Sequence, residues 1–214
     1  MQNIRESAII IVRVNRLFII CAICAKWTKG KSSVTEQTDL ERNVMERTLE
    51  ERLDILLEAY SHHYNVIRGA EGDPYPATAE FFVRDENYAF SKKAVLSAYE
   101  QYDYTYFYLA DHLDAAGAKE LLDRTLETGM SRVRPHKEHK SSYVTLVILA
   151  NTIDEEAKKL ICKTRFQKNF RLSLHGWMEY HIAAMECSTK GFLSNSAGKG
   201  ARKTLESNFG PREN

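Results

Sequence analysis

The chain has 214 residues, of which 43% are hydrophobic and 28% charged, and its formal net charge is +1. This length and composition are typical of one soluble folded domain with short appendages. The near-zero net charge argues against the whole-domain basicity that is usual in nucleic-acid-binding proteins.

The charges are unevenly distributed along the chain. Residues 45–131 contain 8 Lys and Arg against 17 Asp and Glu, whereas residues 132–214 contain 15 against 8. The simplest interpretation is that the two halves neutralise each other within one fold or across a dimer. The alternative is that the basic C-terminal half binds an anionic ligand.

Residues 1–44 are predicted to lie outside the fold. Their apolar run "SAIIIVRVNRLFIICAICA" contains Arg13 near its centre, which opposes a membrane span, so no membrane partner is expected. If residues 1–25 are a signal peptide, the protein is secreted. We favour a start of translation at Met45 and a cytoplasmic protein, because a well-formed helix begins there.

A helix is predicted at residues 48–67. Thr48 and Glu51 have the spacing of a capping box, and leucine and tyrosine residues follow at intervals of three and four. A turn-rich link and a strand-like segment, "AEFFVRDENYAF", come next.

An internal repeat predicts the fold of the central region. Residues 109–125 match residues 149–164, and an apolar strand-like run precedes each segment. The predicted order is strand 103–110, helix 114–128, strand 131–136, strand 142–150, helix 154–164 and strand 168–175. This order is βαββαβ, so we expect an α+β domain with a ferredoxin-like, or split βαβ, core at about residues 103–175.

The rest of the domain is predicted to follow this core. A strand at 177–187 would lead through a Gly-rich loop into a short helix, and residues 206–214 would form a frayed tail. The domain as a whole is expected to span residues 45–205.

The stretch "SLHGWMEYH" contains the first candidate site. Apolar and polar residues alternate from residue 170 onward, and Gly176 marks a bend in the strand. Beyond the bend, Trp177, Glu179 and His181 share the polar face and form a candidate ligand-binding surface. We favour the simpler interpretation, which is the solvent face of an edge hairpin.

Histidines elsewhere do not extend this candidate to a metal site. In a split βαβ sheet His136 and His175 would lie at opposite edges, too far apart to share a metal. Cys21 and Cys24 form C-x-x-C without the second pair that a zinc site requires. Neither a metal nor a cofactor is expected.

A second candidate is the Gly-rich segment "NSAGKGARKTLE". Backbone amides at the start of its helix, with Lys199, Arg202 and Lys203, are predicted to bind an anion. An exposed flexible turn is the simpler interpretation.

A third pattern is four alternating tyrosines on one strand, which would offer a stacking face for bases. They are Tyr102, Tyr104, Tyr106 and Tyr108. We instead expect the helix at 48–67 to cover them, because the RNA-recognition motif is absent.

Three segments of the chain indicate a family. The runs "AEFFVRDENYAFSKK", "GMSRVRPHKEH" and "SLHGWM" resemble a family of uncharacterised bacterial proteins classed as a domain of unknown function. The resemblance covers most of residues 45–205 and implies no activity and no site.

The sequence therefore favours a non-enzymatic ligand-binding or regulatory protein, and a homodimer paired through a sheet edge is expected. The alternative is a nucleic-acid-associated protein or a metal-dependent enzyme that uses the basic C-terminal half.

Overall fold

A computed structural model describes residues 47–88 and 95–211, with the side chains of all of these except 85–88 and 95–98. The predictions made for residues 1–44 lie outside the described residues. Within the described part of the chain, every helix is too short or too polar to span a bilayer.

The described residues form a mixed α+β domain, as predicted. The helices are α1 (Leu49–Ser61), α2 (Ala115–Arg132), α3 (Glu155–Lys163) and α4 (Lys199–Phe209). The strands are β1 (Asn65–Arg68), β2 (Ala77–Tyr88), β3 (Val95–Leu113), β4 (His139–Ile153), β5 (Gln167–Asn169), β6 (Trp177–Glu186) and β7 (Gly191–Ser194).

These strands form one seven-stranded sheet. Its order is β1-β2-β3-β4-β6-β5, and β7 pairs with the last residues of β6. The three inner strands β3, β4 and β6 are parallel, and the remaining pairings are antiparallel. The apolar run "YVTLVILA" of β4 suits its central position, because helices cover both faces of the sheet there.

Alternation along the strands separates two cores. Even-numbered residues of β4 and β6, such as Leu146 and Ile182, belong to a cluster with Leu121 of α2 and Ile161 of α3. Odd-numbered residues of the same strands belong to a second cluster with α1 and α4; they include Val147, Leu149, Ala183 and Met185. Because consecutive parallel strands are joined by α2 and α3, both helices lie on one face, as right-handed crossovers require.

The ferredoxin-like prediction is not confirmed. Strands β3 and β4 are adjacent, as predicted for the two central strands, but they are parallel, whereas the central strands of a split βαβ sheet are antiparallel. The strand predicted at 131–136 is instead the end of α2 and a loop, because buried Val133 continues the apolar stripe of that helix. The strand predicted at 168–175 ends at Asn169, and β6 lies beside β4 in parallel, whereas an edge strand of a split βαβ sheet would be antiparallel.

The two matching segments do lie side by side. Leu109 of β3 pairs with Leu149 of β4, and Ala110 pairs with Ala150. The equivalence ends at the helices, because α2 has 18 residues and α3 has 9. The repeat was predicted to include the outer strands, and it does not extend that far.

The two terminal helices refine the predicted boundaries. Thr48 and Glu51 form the predicted capping box, with Thr48 N donating to Glu51 Oε2 (2.9 Å) and Glu51 N donating to Thr48 Oγ1 (3.2 Å). The helix predicted to reach residue 67 ends at Ser61, since β1 follows. The tail predicted to fray from residue 206 is helical to Phe209, whose ring is 4% exposed against the second core.

The tyrosine face is covered by a different helix from the one predicted. Tyr104, Tyr106 and Tyr108 pack in the core on the α2 and α3 face, whereas α1 packs on the opposite face. Tyr106 is buried beside Tyr75, with ring centroids 5.0 Å apart. An open stacking face for bases is therefore excluded at Tyr106.

Candidate functional site

Three neighbouring strands place their polar residues on one face, at the end of the sheet where β4 and β6 begin. Asp103, Tyr143 and Glu179 lie opposite one another across β3, β4 and β6. Thr145 and His181 follow in the next row toward the middle of the sheet. We call these five residues the polar shelf.

The shelf exists because α1 and α4 cover only part of this face. The next row along the three strands is Phe107, Val147 and Ala183, which are buried against these helices. All three strands thus change from polar to apolar at the same level. Side chains of the shelf other than Thr145 retain some solvent contact as a result.

Asp103 is the most enclosed carboxylate of the shelf. Its Oδ2 accepts a hydrogen bond from the Tyr64 hydroxyl (3.0 Å), and its Oδ1 accepts from Thr145 (3.2 Å) and, more weakly, from Thr105 (3.4 Å). Burial raises the pKa of Asp103, and the hydroxyl donors and the nearby His181 offset only part of that rise. Asp103 therefore holds a proton to a higher pH than an exposed aspartate does.

Glu179 is the more accessible carboxylate, with 36% of its side chain exposed. His181 Nε2 lies 3.3 Å from Glu179 Oε2 and donates to it, and the His181 ring stacks on Tyr143 with centroids 4.9 Å apart. Trp177 lies two residues before Glu179 and so projects from the same face of β6. A carboxylate that shares a sheet face with aromatic residues is suited to a positively charged nitrogen group.

The predicted residues Trp177, Glu179 and His181 are thus brought together with Asp103, Tyr143 and Thr145, which sequence reasoning did not select. The signal for the missed residues was present in the odd positions of "QYDYTYF" and "SSYVTLV", where polar residues give way to apolar ones. The even-numbered tyrosines of β3 form the more conspicuous alternating pattern, and they lie on the other face. Only the parallel pairing of β3, β4 and β6 joins these positions into one surface.

The bend predicted at Gly176 is confirmed. Gly176 has φ +75°, and β5 pairs with the start of β6 in an antiparallel hairpin. Its Cα faces the backbone carbonyls of His139 and Lys140, so a Cβ at this position would collide with them. Gly176 therefore sets the start of β6, the strand that carries Trp177, Glu179 and His181.

The second predicted group, Lys199, Arg202 and Lys203, lies in the first turns of α4. Arg202 Nε forms an ion pair with Glu206 (2.6 Å). The segment before α4 is held tightly: Asn195 Oδ1 accepts from Gly198 N (2.6 Å) and from Ile182 N (3.1 Å). This geometry differs from the expected flexible turn, and one amide expected to bind an anion donates to Asn195 instead.

The histidines are closer together than predicted. His139 Nδ1 donates to the carbonyl of His175 (2.7 Å), and the His136 and His139 rings lie 6.1 Å apart. The expectation of opposite edges was wrong because β4 and β6 are adjacent and parallel, so their first residues meet at one end of the sheet. Burial lowers the pKa of His139. No group of three potential metal ligands was found among the described residues.

A second polar cluster surrounds Glu100 at this same end. Its carboxylate accepts from Arg84 (2.9 Å) and Tyr102 (2.7 Å), and it pairs with His136 (3.0 Å). Burial and the hydrogen bond to Glu100 raise the pKa of Tyr102 to about 12. Because both oxygens of Glu100 have partners, we interpret the cluster as a structural link between β2, β3 and the loop before β4.

A cavity of about 450 Å³ lies at the opposite, carboxyl end of the parallel strands. It is lined by Arg47, Thr48, Leu49, Glu50, Leu109, Ala110, Asp111 and Asn151.

Comparisons with known proteins identify a family. Neither the curated proteins nor the solved structures provide a match to this chain. The model of a protein family described as a domain of unknown function, DUF8052, matches residues 48–207, a range that contains the polar shelf, all seven strands and all of α4 except its last two residues. The chain belongs to the DUF8052 family.

Proposed function

We propose that this protein is a ligand-binding domain and that the polar shelf binds a small organic cation, such as an alkylammonium or alkylguanidinium group. The observation that carries the proposal is the position of Glu179, a partly exposed carboxylate that shares one sheet face with two aromatic residues, its cross-strand partner Tyr143 on β4 and Trp177 two residues earlier on β6. A carboxylate supplies the counter-charge, and aromatic faces attract the cation further.

Electrostatics supports a cation over an anion at the shelf. Asp103 and Glu179 are both acidic, and none of the five shelf residues is a lysine or an arginine. Asp103 has only hydroxyl donors within hydrogen-bonding distance among the described residues, and burial favours its protonated form. A cation bound beside it would favour the charged carboxylate instead.

Isothermal titration calorimetry of the full chain tests this proposal. The probes are butylamine and butylguanidine, which are cations at neutral pH, with butanol and butyrate as uncharged and anionic controls. We expect binding of the two cations only. Glu179→Gln should weaken it by about tenfold or more, since a hydrogen bond to a charged group is worth about 1.5–3 kcal/mol.

The matched control is Glu127→Gln, which removes an exposed carboxylate on α2, on the other side of the sheet. It should leave the affinity unchanged. If the cations release no heat, or if both glutamine variants bind them equally, the shelf is not a cation site.

The basic residues of α4 remain a separate proposal. An anion bound near Lys199, Arg202 and Lys203 would be detected by calorimetry with inorganic phosphate.

The proposed homodimer is tested by sedimentation velocity. The alternatives of a nucleic-acid-associated protein or a metal-dependent enzyme rest on the charge of the C-terminal half alone, and we favour the binding role for that reason.

A further inference from the structure

The turn between β5 and β6 presents two leucines to solvent. Leu172 is 95% exposed and Leu174 is 76% exposed, and among the described residues no other large hydrophobic side chain exceeds 52%. Leucine on a protein surface is ordinary when it is single and half-covered. Two almost fully exposed leucines on one short turn indicate a contact surface.

This turn has a defined conformation. Phe170 N donates to Gly176 O (2.9 Å) and His175 N donates to Phe170 O (3.1 Å), which closes its base. Leu174 N donates to Arg171 O (3.0 Å) across its tip. The leucines are therefore held outward by backbone hydrogen bonds.

Holding them outward requires an unfavourable backbone. Arg171, Leu172 and Ser173 have φ values of +47°, +53° and +69°, in the left-handed region that residues with a Cβ disfavour. Three such residues in succession are uncommon, because each one costs free energy in the left-handed conformation. A binding role gives this conformation a reason to persist.

Three basic residues lie on this turn or on the strands at its base. Arg171 belongs to the turn, and Lys168 in β5 lies with its Nζ 5.7 Å from the Phe170 ring. Lys140 at the start of β4 lies at the base of the turn, where its carbonyl faces Gly176, and its Nζ lies 5.7 Å from the centre of the Tyr99 ring on β3. All three are exposed, and none of them forms an ion pair with a described residue.

We propose that this end of the sheet docks onto an anionic lipid surface, with Leu172 and Leu174 inserted at the interface and the three basic residues against the lipid headgroups. A convex turn with two apolar tips fits a fluid bilayer, which needs no complementary cavity. The surrounding positive charge matches an anionic leaflet, where each basic residue strengthens association by about fivefold.

This inference differs from the expectation that the protein has no membrane partner. That expectation rested on the lack of a spanning segment, and peripheral association requires none. The inference is also independent of the proposed cation site, because none of its residues belongs to the polar shelf.

Flotation of the full chain with lipid vesicles tests the proposal. The vesicles contain either phosphatidylcholine alone or phosphatidylcholine mixed with phosphatidylserine, an anionic lipid of the cytoplasmic leaflet. We expect flotation with the anionic vesicles, weaker at high salt, and little with the neutral ones. Replacing both leucines (Leu172→Ser with Leu174→Ser) should reduce the partition coefficient by at least about tenfold.

A matched control is Ile67→Ser, which removes an exposed apolar side chain on β1, at the opposite edge of the sheet. It should float like the unmodified chain. Replacing Lys140, Lys168 and Arg171 by Gln should weaken flotation with anionic vesicles only, while Lys119→Gln on α2 should not.

Three results would overturn the proposal. They are no flotation with anionic vesicles, flotation that the paired leucine substitutions do not reduce, and a leucine-dependent change in sedimentation coefficient without vesicle binding. The third would identify the turn as a contact between copies of the chain.

Discussion

Tyr64 donates its hydroxyl hydrogen to Asp103 across 3.0 Å, which joins the chain just beyond α1 to the polar shelf 39 residues later. The Tyr64 ring lies 5.0 Å from that of Tyr60, the last buried residue of α1. Burial raises the pKa of Tyr64, and Asp103 raises it further. This contact sets the position of the enclosed carboxylate relative to the helix that borders the shelf.

Replacing Tyr64 by Phe removes one of the donors to Asp103 while keeping the ring. Since an enclosed carboxylate is left with fewer partners, we expect the free energy of unfolding to fall by about 1–2 kcal/mol. Urea denaturation measures the change. Tyr99→Phe is the control, because the Tyr99 side chain is exposed, and equal effects of the two substitutions would contradict the role given to Tyr64.

The raised pKa of Asp103 predicts a pH dependence of stability. The folded protein binds the proton of Asp103 more tightly than the unfolded chain, whose aspartates titrate near about pH 4. The stabilisation from protonated Asp103 is therefore complete below that pH and is lost as the pH rises through the folded pKa. Asp103→Asn should remove this part of the dependence.

The measurement is the melting temperature of both proteins as the pH is raised from about 4, where unperturbed aspartates titrate. As the pH rises, the melting temperature of the unmodified chain should fall relative to that of Asp103→Asn. A constant difference would show that the folded-state pKa of Asp103 is not raised.

A buried asparagine is expected to stabilise the start of α4. Asn195 accepts from Ile182 N and Gly198 N, and its Nδ2 donates to the carbonyls of Tyr180 (2.9 Å) and Thr164 (3.1 Å). Asn195→Ala would leave these groups without partners, so we expect a loss of about 2–4 kcal/mol in the free energy of unfolding.

Chemical denaturation tests this prediction, with Asn169→Ala as the control. Asn169 is exposed at the end of β5, and its replacement should change stability by less than about 0.5 kcal/mol. A small loss for Asn195→Ala would mean that water replaces the side chain in the loop.

Local signals predicted much of the fold. The capping box of Thr48 and Glu51 is present, the apolar run of β4 is central, and Gly176 marks the bend before β6. Each of these depends on a few adjacent residues. The order of the outer strands depends on pairings between distant segments, which periodicity does not contain.

The error at residues 131–136 shows the limit of such signals. The segment "SRVRPH" has one apolar residue, Val133, and a single position fits both a strand and the last turn of a helix. A strand at this position would put His136 and His175 at opposite edges of the sheet. In the structure His139 lies beside both of them. One misplaced element thus changed the predicted neighbourhood of three histidines.

The candidate site was predicted in part. Alternation placed Trp177, Glu179 and His181 on the polar face of one strand, which is correct. Asp103 and Tyr143 could join them only through the in-register parallel pairing of three strands.

The central claim is that the polar shelf binds an organic cation through Glu179, and nuclear magnetic resonance of Trp177 tests it most directly. The chain has two tryptophans, so Trp27→Phe leaves the indole N–H signal of Trp177 alone. We predict that butylguanidine shifts this signal with saturation, that butanol does not, and that Glu179→Gln abolishes the shift. A Trp177 signal that is unchanged by the cation, or that shifts equally in Glu179→Gln, would contradict the account.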